Sequence, residues 1–160
     1  ELDVTKLPAD ARGLVGHYFK GREFAGKPAL RLDKEIAFDW GEGAPGVRGV
    51  GADDFCVRWT GQVKAEKSGT YTFIAEADDG VRLWVNGQKL VDAWIDQGAT
   101  EYKGDLKLEA GKSYDVVMEY FENSGFAVAK LSWSVDGGEK QIIPSSVLLP
   151  KVITDKGQKR

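Results

Sequence analysis

One cysteine and one histidine stand among 160 residues, and each scarcity closes a class of chemistry. Cys56 alone can form neither an internal disulfide nor a multi-thiolate zinc site, so cysteine usage leaves the redox compartment open. His17, with no second histidine and no evident serine partner, supports neither a nucleophilic triad nor a multi-histidine metal site. Within the segment 15–19 it reads as a structural strand residue. An excess of one charge is missing too. With 22 basic and 25 acidic residues interspersed and a net charge of −3, the chain has no electrostatic footprint for nucleic acid or an anionic membrane. No run approaches the roughly 18 apolar residues that span a bilayer, so membrane insertion is not expected. The opening ELDVTKLPAD has neither the basic nor the apolar region of a signal peptide. Finally, no segment carries a 3.6-residue apolar stripe, and helix is expected only as minor turns, such as one capped turn over residues 145–149 after Pro144.

What remains is alternation. Tyr102, Leu106 and Leu108 face one way between the charged Glu101, Lys103, Asp105, Lys107 and Glu109, the pattern of a half-buried strand. The same period of two runs through Tyr71, Phe73, Ala75 and Ala77, and through Tyr114, Val116, Met118 and Tyr120. It recurs from Ala127 to Val135 and through Phe55, Val57, Trp59 and Val63. Turn formers separate these runs, and Asn86-Gly87 between Val81, Leu83, Val85 and Leu90, Val91 predicts a hairpin. The expectation is an all-β fold, an antiparallel sandwich or barrel, built as one domain. Residues 41–51 read as an irregular loop, and the GEGAPG within them, although a literal dinucleotide fingerprint, is followed by no helix or βαβ unit. The polar, patternless ends, 1–12 and 151–160, are expected to be linkers to other domains of the same polypeptide, flanking a domain over 13–150.

Two places could carry chemistry. Asp78-Asp79-Gly80 sits where one strand ends and the next begins, and it reads either as a solvated turn or as a pair of carboxylates converging on a hard cation such as calcium. Consecutive strand side chains point to opposite faces, so convergence needs unusual backbone, and a cis peptide between the two is one way to supply it. The second place is the connection Phe121-Glu122-Asn123-Ser124-Gly125-Phe126, which offers an amide oxygen, free carbonyls and an aromatic ring suited to the apolar face of a sugar. A plain turn with one exposed aromatic is the competing reading. The acids Asp53-Asp54 and Glu119 with Glu122 are formal candidates for a glycosidase pair, but nothing singles out a general acid among them, so no enzyme activity is expected.

The runs YTFIAEADDGVRLWVNGQKLVDAW (71–94) and YFENSGFAVAKLSW (120–133), supported by GLVGHYF, IAFDWGEG, FCVRWTGQV, SGTYTF and IIPSSVL, together resemble the PA-fourteen family, named after the anthrax protective antigen. The resemblance covers most of residues 13–150 in order. It implies a β-sandwich of the kind found in secreted glycosidases, adhesins, toxins and cell-surface proteins. In sugar-binding members the aspartate pair is joined by a cis peptide and grips calcium, whose coordination vicinal sugar hydroxyls complete. Carried onto this chain, the metal ligands are Asp78 and Asp79, the Asn123 side chain, and carbonyls at Gly125 and Ala127, in a version of the second loop that is less glycine-rich than usual. Trp94 and Gln97, after the hairpin, and Phe126 at the loop tip are candidate sugar contacts; for Trp94 a packing role competes. Cys56 stands where serine is expected and reads as a small filler.

The function so implied is a calcium-dependent carbohydrate-binding module, monomeric as an isolated domain and outside the cell or on its surface, in a larger protein. The alternative is a structural or protein-interaction spacer of the same fold in a secreted glycosidase or adhesin.

Overall fold

A period-two pattern places every second side chain on one face of a sheet, and two such faces bury each other. A computed structural model describes residues 2–154. Its strands are β1 (Leu14–Lys20), β2 (Ala29–Asp33), β3 (Ala37–Gly41), β4 (Phe55–Lys64), β5 (Gly69–Asp78), β6 (Gly80–Val85), β7 (Gln88–Ala93), β8 (Thr100–Leu108), β9 (Ser113–Glu122), β10 (Ala127–Val135), β11 (Gln141–Ile142) and β12 (Leu148–Pro150). They form two antiparallel sheets. One has the order β2-β1-β4-β9-β6-β7, with β12 also paired to β4; the other has the order β11-β10-β5-β8, with β3 also paired to β10. The chain is an antiparallel β-sandwich, one of the two architectures its alternation left open and the one the family resemblance implied.

Phe55, Val57 and Trp59 of β4, Val116, Met118 and Tyr120 of β9, and Val81 and Leu83 of β6 meet Tyr71, Phe73, Ala75 and Ala77 of β5 and Leu131 and Trp133 of β10. Full burial of each large apolar side chain contributes about 1.5 to 3 kcal/mol before its entropy cost. One acid joins this core. Asp33 accepts hydrogen bonds from the Tyr18 hydroxyl and, at 2.8 Å, the Trp59 indole N–H, while Arg31 balances its charge.

The Asn86-Gly87 hairpin is present between β6 and β7, both residues in the left-handed region at φ 52° and 76°, the signature of a two-residue turn that matches strand twist. The expected helical turn is a short 3-10 segment, Ser145–Val147, and Pro144 before it supplies no side-chain cap. Its cap comes from far away, the Ser145 N–H donating to Glu35 Oε2 at 3.3 Å. The short strands β2, β3, β11 and β12 carried no alternation that would announce them.

The outer face of the larger sheet is also partly apolar. Phe19, Cys56 and Phe121 form one cluster with Phe24 and Trp94, and Trp84, Val117 and Ile153 form another. Buried Ile153 continues the packed chain beyond Pro150, as does Lys151, whose carbonyl accepts from the Thr60 hydroxyl at 2.6 Å. The packed chain therefore runs past the boundary expected at position 150. At the amino end Asp3 caps a short 3-10 turn, Val4–Lys6. Glu1 and residues 155–160 of the expected linkers lie outside the described residues.

Candidate metal centre

The end of β5, the start of β6, the end of β9 and the loop after β7 meet at one end of the sandwich. The peptide between Asp78 and Asp79 is cis. Gly80 follows because nothing larger fits: a Cβ there would sit 2.1 Å from Cε2 of Phe121. Asp79 is held on every side. Its N–H donates to the Phe121 carbonyl at 3.2 Å, Oδ1 accepts from the Gln97 N–H at 2.9 Å, and Oδ2 accepts from the Asn123 N–H at 2.8 Å. Its carbonyl accepts from Gln97 Nε2 at 2.9 Å, and the Asp78 carbonyl accepts from the Tyr120 hydroxyl at 2.6 Å.

Carboxylate oxygens of Asp78, Asp79 and Glu122 lie within 4.8 Å of one another. Calcium binds oxygen at roughly 2.3 to 2.6 Å, so atoms that close can all touch one ion. The donors are hard oxygens, which suits calcium or magnesium and not a thiophilic metal. Glu122 has 0% of its surface exposed, and neither of its oxygens makes a hydrogen bond. Burial first, then the charge of Asp79, pushes its carboxyl up to about 9. Asp78 is raised too, by burial and then by the Asp79 charge. Excess negative charge without a counter-charge is the electrostatic profile of a cation site, and the residues fit the ion.

Of the other expected ligands, Asn123 and Ala127 adjoin the pair. Asn123 donates through Nδ2 to Asp96 Oδ2 at 3.1 Å, which leaves its amide oxygen as the group to offer a cation. Ala127 opens β10 one residue before Val128, the pairing partner of Asp78, and Gly125 stands in the exposed loop at φ 88°. Phe126 at the tip is 61% exposed.

Gln97 adjoins the site, but its side chain is committed to the protein: Nε2 to Asp79 and Oε1 to the Tyr102 hydroxyl at 2.5 Å. It positions Asp79, a role the sequence did not announce. Trp94 is half packed, its ring 4.8 Å from that of Phe121 and 3.8 Å beneath the Arg82 guanidinium. It also lines an open groove of about 450 Å³ with Arg22, Glu23, Ile95, Asp96 and Phe121. Trp94 thus packs as the competing reading expected, with part of its ring left open to the groove.

Sequence reasoning missed two members of this site. The sequence names Glu122 as a formal glycosidase acid and within the second loop but not as a ligand, although it shares the inward parity of Tyr120 and adjoins Asn123, a legible signal. Asp96 lies in an unpatterned loop and had none. The formal pair Glu119 and Glu122 is not a catalytic pair, because residues three apart in one strand face opposite sides, and Glu119 on the outer face is clasped by Arg58 and Arg82. Asp54 is used as backbone, its N–H donating to the Asn123 carbonyl at 3.0 Å. Cys56 is the buried filler it was read as, its thiol pushed up to about 11 by burial. His17 is structural, its Nδ1–H donating to the Arg58 carbonyl at 2.8 Å.

Comparison with known proteins adds the context. The PA14 domain model matches residues 10–146. The chain is 49% identical over 138 residues to anti-sigma-I factor RsgI3 of Acetivibrio thermocellus, covering 86% of this chain and 21% of that protein. A solved structure of an anti-sigma factor domain-containing protein superposes with a TM-score of 0.84 at 48% identity, over 88% of this chain and 49% of that one. The chain thus spans about a fifth of the first relative and about half of the second. A PA14 sugar-binding domain from an RTX adhesin shares the fold, with a TM-score of 0.73 at 22% identity over 88% of this chain and 99% of that one. The more similar relatives thus carry regulatory names where the sequence led one to expect glycosidases and adhesins. With the family model matched from residue 10 to residue 146 and the sandwich in place, this chain belongs to the PA14 domain family.

Proposed function

We propose that this domain binds carbohydrate through a calcium ion held by Asp78, Asp79 and the Asn123 side chain, with the carbonyls of Gly125 and Ala127 as further ligands. The observation that carries this reading is the convergence of adjacent, uncompensated carboxylates at the mouth of a sandwich end. A calcium ion bound there supplies open coordination positions that two neighbouring hydroxyls of a sugar can fill. The chain's own residues do the rest. Gln97 and the Asn123 N–H hold the Asp79 carboxylate in one orientation, and Tyr120 fixes the backbone of Asp78. Exposed Phe126 offers its ring to the apolar face of a sugar, and the groove past Asp96 gives a following residue of the chain Trp94 and Ile95 to lie against.

A shallow site that displaces ordered water gains little per atom, so affinity for one sugar is weak and attachment comes from repeated glycan ends or neighbouring domains. Identity to an anti-sigma factor supports a setting in which carbohydrate, met outside the cell where calcium is plentiful, is a signal read by a larger regulatory protein. No helix among the described residues is long and apolar enough to cross a membrane, so any such crossing by helix belongs elsewhere in that protein.

The test is a glycan array probed in calcium, in chelator, and with the folded variant Asp78→Asn/Asp79→Asn. Binding that disappears in both of the last two supports the reading. Intact protein that binds no glycan in any condition, or binds equally in chelator, contradicts it and favours a protein-interacting spacer.

A further inference from the structure

β9 carries two fully buried glutamates three residues apart, and their surroundings differ in kind. Glu119 has Arg58 Nε at 2.9 Å from one oxygen and Arg82 Nη2 at 3.0 Å from the other. Glu122 has no such clasp. Both of its oxygens are buried and receive no hydrogen bond from an N–H or O–H group, Asp79 is close enough to share a proton with it, and the charges acting on it, those of Asp79, Asp78 and Asp53, are all acidic. A buried carboxylate without a partner is costly and persists where a cation or a proton offsets it. Its oxygen lies within 4.8 Å of those of Asp78 and Asp79, so the ion that serves the aspartates is within its reach as well.

We infer that Glu122 is a direct third carboxylate ligand of the metal site, closing it from the interior side of the sandwich. This rests on the calcium reading above and adds to it. With two aspartates alone, a divalent cation is just neutralised; with Glu122 the bound site keeps one net negative charge, and tighter binding follows from the added charge. The geometry also divides the labour. Asp78, Asn123 and the exposed loop are the parts open to the rim where a sugar approaches, while Glu122, at 0% exposure, is not a sugar contact and sets ion affinity.

Two fates for Glu122 compete, metal ligand and permanently protonated filler, and Glu122→Gln separates them, because glutamine copies the protonated acid and lacks the charge. The measurement is calcium calorimetry on the chelator-stripped domain, backed by terbium luminescence sensitised by nearby Tyr120, with melting in chelator as the fold check. The expected result is that Glu122→Gln weakens calcium at least tenfold while melting in chelator no lower than wild type, since glutamine copies the protonated acid that the metal-free site holds. Glu122→Asp, which keeps the charge but withdraws it by one methylene, should weaken calcium as well. Calcium affinity equal to wild type in Glu122→Gln overturns the inference and leaves the aspartate site standing. Wild type that binds no calcium overturns the calcium reading itself, and Asp79→Asn, run in parallel, shows which of the two has failed.

Discussion

Glu119 lies fully buried, clasped from both neighbouring strands, because Arg58, Glu119 and Arg82 are in register across β4, β9 and β6. Arg58 in turn lies 4.2 Å from the Phe24 ring centre and Arg82 lies 3.8 Å from that of Trp94, so the ion group and the outer apolar cluster support each other. Removing one member of a buried pair strands the remaining charge, at a cost of about 3 to 5 kcal/mol. Glu119→Ala should therefore lower the urea midpoint by the equivalent of about 3 kcal/mol with an unchanged m-value; a loss under about 1 kcal/mol would mean the arginines find water instead. His17 gives a pH signature. Burial holds its pKa below the ordinary 6.5, so the unfolded chain takes up the proton first as pH falls. Its contribution is present above about pH 6.5 and is lost as pH falls through the depressed folded value, at no more than about 1.4 kcal/mol per pH unit. His17→Gln should remove that component, so the gap between wild-type and variant stability shrinks below about pH 6; parallel profiles would contradict it.

The long strands were legible as elements because each is half or wholly buried and alternates over most of its length. β2, β3, β11 and β12 were not, since they are two to five residues long and are recruited by the edges of β1, β10 and β4 rather than by their own pattern. The 3-10 turn was legible from Pro144, but not its cap, which Glu35 supplies from 110 residues away. Gly80 shows how one element constrains the site. It starts β6 against Phe121 of β9, where a methyl group would overlap the ring. Gly80→Ala should cost about 1 to 3 kcal/mol through overpacking and, by shifting Phe121, displace the carbonyl that holds the Asp79 N–H. Both effects are checked by denaturation and by calcium calorimetry on the same sample; a variant with wild-type stability would mean the ring moves freely.

For the whole molecule, the aspartate pair was visible because its members adjoin in sequence, whereas Asp96 and the role of Glu122 depend on loops brought together by the sandwich. The regulatory names of its more similar relatives were not visible at all, because this chain matches about a fifth of one and about half of the other, and those names attach to the whole proteins. An ion that binds only the folded state stabilises it by mass action, about 2.7 kcal/mol at one hundred times Kd. For a domain of this size that is a rise in Tm of roughly 5 to 10 °C, reversed by chelator and absent in Asp78→Asn/Asp79→Asn. A Tm indifferent to calcium would argue that no such site forms.

The most direct measurement is diffraction from a crystal grown with calcium and the strongest glycan from the array. The expected result is one anomalous peak between Asp78 and Asp79, within about 2.6 Å of their carboxylates, with two adjacent sugar hydroxyls completing its shell. A glycan seated elsewhere with no ion between the aspartates would contradict the calcium-mediated recognition proposed for this domain.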